Sequence, residues 1–475
     1  MNSVSVQQKR FIRLTPSNNA SAGFSPDSSQ PIVRFSVADT MASADMTQAR
    51  LNFRIRVSQN GNNSVNANTQ DFNVDKTVNA CGILDQVIVS SRRFGNQIEA
   101  VHNLGRLNSS WYSSLYSPKQ MAANVNMNCR SVGKGKYNGV FGNPGLGATL
   151  DDGRSRLQRK YLVTSNAAPS GAAAINHKNS WCQGQAQAAG TAGEVQAAGY
   201  MDCSIPLHLG FFQSSDVNLN QVGGLEITCY LAQTRSLFYG AGADGPGAGS
   251  TYNIVDVNLT VPLLYYTAQQ VQAQLAQPES VLSFMSWTSI YSVLDSTFTS
   301  IAHRLALKGL LSSIHNTLPT LAINNNAFNN HALINSGIES LTFLREGVKN
   351  PYEKTTIPTT NSLLPLANKS CLQPEILNDY ISAWRNPRDV HYTQIIPENI
   401  LGRAGVVEGV YGIGCNYDPS AGAGVSVNGT ISYDIKTKLE DITTPNPATT
   451  ESYAFYSFYL SRQDYVVTGQ GMSSI

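Results

Sequence analysis

The 475-residue chain is too long for one ordinary core at roughly 100–200 residues per domain, which points to two large domains. Its 41% hydrophobic content excludes global disorder, yet only 13% of residues are charged, against about 25% in ordinary soluble domains. Net charge is +2, from 33 Lys and Arg against 31 Asp and Glu, so no global basic field exists to bind nucleic acid.

In chain order, residues 1–30 read first as a flexible arm rich in Ser, Asn and Gln. The arm holds Lys9, Arg10 and Arg13 against Asp27 alone, so the whole positive excess sits there. Lys9 and Arg10 interrupt any secretory h-region, and no run approaches the roughly 18 apolar residues of a membrane span. The cysteines (Cys81, Cys129, Cys182, Cys203, Cys229, Cys371 and Cys415) never form a CxxC pair, which predicts reduced thiols in a cytosol-made protein.

Strands follow. Val33, Phe35 and Val37 alternate with Arg34 and Ser36, then Leu51, Phe53, Ile55 and Val57 with Asn52, Arg54 and Arg56. This period of two marks antiparallel strands with one wet and one dry face. Ile83 to Ser90 is a further candidate, and Ile98, Val101, Leu104 and Leu107 after it have helical spacing. Periodicity vanishes from Gly133 to Tyr200, where Ser165–Gly199 is dominated by Ala, Gly, Ser and Gln. That stretch predicts a long surface loop. Strands resume at Ile205–Phe212, at Leu225, Ile227, Cys229 and Leu231, and at Val255, Val257, Leu259 and Val261.

Thr267 is placed to cap a short helix that Pro278 ends, and this helix reads as the joint between halves. A second β-rich stretch begins near Ser283. It is interrupted by a helix with Pro374 in its first turn and Ile376, Leu377, Tyr380, Ile381 and Trp384 as its stripe. Val427, Ile431, Tyr433 and Ile435 alternate near the end. Tyr453–Leu460 is apolar on both faces and predicts a strand buried on both. The chain therefore divides into an arm (1–30), a first β-sandwich (31–266, with a long loop at about 133–200), a linker helix (267–282) and a second β-sandwich (283–475).

Catalytic and metal motifs are missing from this pattern. GxSxG and the Walker loop are absent, and Gly133–Gly139 has Gly and Lys in no phosphate-cradling order. The seven histidines form no HExxH and no zinc spacing, and His303 in a strand reads as a hydrogen-bonded structural residue. Asp151 and Asp152 have no evident third partner. No cofactor, metal or catalytic residue is expected.

The order of segments resembles the double jelly-roll major capsid proteins of the adenovirus-like lineage, especially those of polinton-like viruses and virophages. Cys203–Gln233, with its IPL strand, polar turn and glycine-led alternating strand, carries the resemblance most strongly. Tyr252–Leu275, Ile83–Leu107, Val410–Leu439 and the terminal YSFYLSRQDYVVTGQG are similar to the family's further strands. The resemblance implies an all-β chain of two consecutive jelly rolls with a few short inserted helices. It implies trimeric, pseudo-hexameric capsomers tiling an icosahedral shell around double-stranded DNA, with no enzymatic activity.

It also implies a virion location after synthesis in the host cytoplasm. The partners would be neighbouring capsomers and penton and minor capsid proteins, and Ser165–Gly199 would lie on the outer end. Lys9, Arg10, Phe11 and Arg13 are then candidates for inner-face contact with a neighbouring subunit, a minor protein, packaged DNA or an internal membrane. The competing picture has Phe11, Ile12 and Leu14 pack as a strand beneath the subunit. Removing residues 1–20 is expected to leave the trimer folded while impairing shell assembly. A carbohydrate-binding or carbohydrate-active β-sandwich is the alternative, though the four tryptophans (Trp111, Trp181, Trp287 and Trp384) are dispersed.

Overall fold

The computed structural model describes residues 6–58, 73–74, 83–107, 201–233, 238–239, 251–317, 338–349, 355–356, 400–401, 407–408, 412–416, 425–437, 453–468 and 471–474, apart from 19–22, 27, 29, 39, 106, 208, 277–278, 295–299, 306–308 and 428. The expected long loop at 133–200 and the helix after Pro374 lie outside the described residues.

The first half contains β1 (Gln8–Leu14), β2 (Ile32–Val37), β3 (Ser43–Ala44), β4 (Arg50–Ser58), β5 (Asn73–Val74), β6 (Leu84–Ser91) and β7 (Gln97–His102). It continues through β8 (Met201–Pro206), β9 (Val217–Asn218), α1 (Leu219–Val222), β10 (Leu225–Leu231), β11 (Phe238–Tyr239) and β12 (Thr251–Tyr265). After α2 (Ala268–Leu275) the second half holds β13 (Glu279–Leu294), β14 (Ser300–Arg304), β15 (Leu311–Thr317), β16 (Ile338–Arg345), β17 (Val348–Lys349) and β18 (Thr355–Thr356). It ends with β19 (Ile400–Leu401), β20 (Val407–Glu408), β21 (Gly412–Asn416), β22 (Thr430–Thr437), β23 (Tyr453–Thr468) and β24 (Gly471–Ser474).

One topology occurs twice. In the first half, one sheet runs β8-β4-β12 with β1 on the opposite edge of β12, and its partner sheet runs β2-β10-β6-β7. In the second half the orders are β21-β15-β23-β13 and β14-β22-β16-β17. Strand for strand, in the same chain order, β1, β2, β4, β6, β7, β8, β10 and β12 correspond to β13, β14, β15, β16, β17, β21, β22 and β23. In each half these eight strands form an antiparallel sandwich with four in either sheet, a jelly roll, to which short strands add at the margins (β3 and β9 in the first half, β18 and β24 in the second), and the fold is a double jelly roll.

The alternations lie where the sequence placed them. In β2, Val33, Phe35 and Val37 are buried with Arg34 exposed. In β10, Leu225, Ile227, Cys229 and Leu231 are all buried, and in β22 Ile431 and Tyr433 point into the core. Thr267 caps α2 through a full capping box: its Oγ1 accepts from the Gln270 N–H, and Gln270 Oε1 accepts from the Thr267 N–H at 3.2 Å.

Four expectations are corrected. Gln97–His102 is a strand, not a helix, paired with β6; the chain turns at Asn103, where φ is 55°, so that Leu104 and Leu107 also reach the core. The expected helix is thus a strand over its first half and α-helical only from Leu104, where the Leu107 N–H lies 3.3 Å from the Asn103 carbonyl. The strand predicted at Ile205–Phe212 ends at Pro206, which has no N–H to donate, and Phe211–Gln213 forms a 3-10 turn. In β12 a bulge between Val255 and Asn258, with Asp256 at φ 53°, shifts the inward face by one residue. Tyr252 and Ile254 are therefore buried before it and Val257, Leu259 and Val261 after it, leaving Val255 only half-buried.

The fourth correction concerns the arm. Residues 8–14 are β1, hydrogen-bonded along β12 from Gln8↔Tyr265 to Leu14↔Leu259. Phe24 then bridges Ile254 on the same strand, its N–H 2.8 Å from the Ile254 carbonyl. Gly23 fits only as glycine, because φ is +86° and a Cβ would lie 2.2 Å from Asn253. Removing residues 1–20 would therefore strip β12 of a partner strand rather than trim a loose tail.

Candidate assembly surfaces

On β1, Ile12 and Leu14 pack against the first core, while Lys9, Phe11 and Arg13 occupy the other face of the strand. Phe11 is 57% exposed, and the Lys9 ammonium sits 5.7 Å from its ring centre. Lys9 also pairs with the largely buried Asp45 at 3.1 Å and donates to Gln48 Oε1 at 2.9 Å. Of the four residues that the sequence singled out, the structure brings Lys9, Phe11 and Arg13 onto one face; Arg10 lies on the face of Ile12. All four are exposed.

At the outer edge of the second half, among the described residues, lies β17, the counterpart of β7. Glu346 and Gly347, both at positive φ, make the tight turn from β16, with Arg345 paired to Val348. Val348 is 68% exposed, an uncovered β-branched side chain on a sheet edge.

Between the halves, by contrast, the equivalent elements are covered by each other. β7 of the first jelly roll meets β13 of the second. Ser289 donates its hydroxyl to the His102 carbonyl at 2.7 Å, the Tyr465 hydroxyl donates to the Ile98 carbonyl at 3.1 Å, and the Asn96 amide donates to the Met472 carbonyl. Phe211, Phe284 and Tyr465 form a row of rings at 5.4 and 5.8 Å between centres. Trp287 is 1% exposed there.

At the centre lies Glu99, 2% exposed. Its Oε1 accepts from the Gly210 N–H at 3.1 Å and the Trp287 N–H at 2.9 Å, and its Oε2 from the Phe211 N–H at 2.8 Å. Gly210 is needed for close approach: a Cβ would fall 1.6 Å from the Met285 carbonyl oxygen. Sequence reading missed Glu99, because the segment has helical spacing and an acidic residue off its apolar stripe looks like part of a solvated face.

The seam also explains the doubly apolar Tyr453–Leu460. Phe455 and Tyr459 face the second half's own partner sheet, while Phe458 and Leu460 join the core shared with the first half. Both faces of β23 are therefore buried within one chain.

Among the described residues, chemistry beyond packing is sparse. His303 is 5% exposed; its Nε2 lies 2.7 Å from Ser292 Oγ and its Nδ1 2.7 Å from the Tyr459 hydroxyl, which in turn meets the Tyr433 hydroxyl at 2.5 Å. Burial lowers its pKa to about 4, so the ring is neutral at ordinary pH, the hydrogen-bonded structural histidine expected. Burial pushes the Cys229 thiol up to about 12, which makes it unreactive. Among the described residues no group of His, Cys, Asp and Glu is arranged to hold a metal, and no helix is long and apolar enough to cross a membrane.

No family model and no curated protein sequence matches the chain. Solved structures share its double jelly roll. The PBCV-1 virus capsid is 10% identical with a TM-score of 0.53, covering 100% of this chain and 97% of that one. The Sputnik virophage structure is 10% identical with a TM-score of 0.54, covering 99% and 88%. The Faustovirus major capsid protein is 7% identical with a TM-score of 0.54, covering 98% and 91%. The fold is that of the double jelly-roll major capsid proteins.

Proposed function

We propose that this chain is the major capsid protein of an icosahedral double-stranded DNA virus, assembling as trimers of pseudo-hexagonal outline. One observation carries the reading. The fold repeats within the chain, and the contact that joins the repeats is left open at both outer ends. β7 packs on β13 inside the chain, while their counterparts β17 and β1 carry the uncovered Val348 and Phe11. If β17 of one copy meets β1 of the next as β7 meets β13, the contact is head-to-tail, and such contacts close into rings. Three copies then present six similar wedges. The whole-chain likeness to capsid folds supports the same reading.

Further partners follow from that role: neighbouring capsomers, penton and minor capsid proteins. Arg10 and Arg13 on β1 add weak contact to packaged DNA or an internal membrane, at about 1 kcal/mol per basic residue. The protein functions in the virion after synthesis in the host cytoplasm, and does no catalysis.

Native mass measurement at micromolar protein tests the assembly. Three times the subunit mass is expected, with interfaces of at least about 2,000 Å². Phe11→Ser and Val348→Ser should each leave the subunit folded and weaken the trimer. A stable wild-type monomer, or trimers indifferent to both substitutions, would overturn the reading.

A further inference from the structure

The Glu99 site is a built anion pocket with an unusual owner. A carboxylate from β7 is held by backbone amides of the Gly210–Phe211 turn and of Trp287 on β13, so that one side chain spans both jelly rolls. Backbone amides cannot move away singly, and the Gly210 turn lies directly against Met285. The Ser286 hydroxyl donates as well. No lysine, arginine or histidine among the described residues offsets the charge. Of the elements packed around it, β23 supplies Tyr465, whose phenol is committed to the carbonyls of Gln97 and Ile98. The 3-10 turn supplies Phe211 and Phe212, and β24 supplies Met472, none of them ionisable.

We propose that Glu99 is a proton-operated latch between the two jelly rolls, holding the seam tightest when protonated and loosening it when a charge without a counter-ion is left buried there.

Two opposing effects act on this carboxyl. Burial without a counter-ion favours the neutral acid, and the three N–H donors and Ser286 favour the anion; burial is the larger effect, and the pKa is raised to about 7. In an opened seam the group returns to its ordinary value of 4.5. A folded value above the open value means that stability is fully present below 4.5 and is lost as pH rises towards 7. Above about 7 both states are ionised and the loss levels off. This follows from the seam alone and stands whether or not the chain forms capsids.

Hydrogen exchange of the seam strands β7 and β13, corrected for intrinsic exchange rates, reads the latch. In the full chain, protection should fall by up to tenfold per pH unit between 4.5 and 7, about 300-fold in all, then level off. Glu99→Gln should abolish this dependence. Ser286→Ala removes a donor from the anion, so the levelling-off should move to higher pH. A protonated-carboxyl infrared band at pH 6 should be present in the wild type and missing in Glu99→Gln. A flat profile in the wild type overturns the proposal, as does an unchanged slope in Glu99→Gln. Should Glu99→Gln fail to fold, an unmoved profile in Ser286→Ala overturns it alone.

Discussion

The two jelly rolls share a strand order but fill their interiors differently. Between the sheets of the first lie Val33, Phe35, Leu51, Phe53, Ile55, Val87, Ile227 and Leu259, all side chains with nothing to hydrogen-bond. The second buries His303, Ser312, Ser313, Asn316, Thr342 and Ser457 beside Tyr433 and Tyr459. The same topology is thus stabilised in one half mainly by removing apolar area from water, and in the other partly by the hydrogen-bonded chain Ser292–His303–Tyr459–Tyr433. The first kind of core is indifferent to pH and sensitive to volume. The second is sensitive to protons and to single hydroxyls.

The largest effect is expected in the first half. Phe35→Ala leaves a hole in a core with no exposure at that site and should cost about 3–5 kcal/mol in urea unfolding. A smaller cost than that of a polar change in the second core would contradict the contrast.

The second half should answer to acid. Because the folded pKa of His303 is lowered to about 4, its contribution is fully present above 6.5 and is lost as pH falls towards 4, up to about 3 kcal/mol. Glu99 gains stability over an overlapping window in the opposite direction, so the whole chain should vary little between pH 6.5 and 4.5. Unfolding of Glu99→Gln across this range should reveal the uncompensated loss. Absence of that loss would show that His303 does not titrate as its burial requires.

Next comes Tyr459→Phe. It keeps the ring and deletes the hydroxyl that meets both His303 and Tyr433, and losing these two buried contacts should cost about 1–3 kcal/mol. An unchanged unfolding free energy would show that these hydroxyl contacts contribute nothing to the second core.

The smallest effect is expected at the first half's surface. Arg54 and Asp256 pair at 3.2 Å with both side chains well exposed, and Arg54→Ala should change stability by less than about 1 kcal/mol. A larger change would mean that this half also leans on polar contacts.

What the sequence determined by itself was local. The alternations of β2, β4, β10 and β22 and the Thr267 cap are set by neighbours two to four residues apart, and those spacings survive any tertiary context. The division into two β-rich halves followed from them, with α2 between. Tertiary structure decided the rest. Ile98, Val101, Leu104 and Leu107 have helical spacing, yet β6 offers Gln97–His102 a ladder and β13 covers its far side, so that part is a strand and helix begins only at Leu104. Residues 8–14 look like a polar arm, because only pairing with β12, some 250 residues away, makes them a sheet edge. Glu99 takes its meaning from amides 111, 112 and 188 residues distant. A carboxylate's environment is set by which backbones close around it, and no local pattern in the chain encodes that.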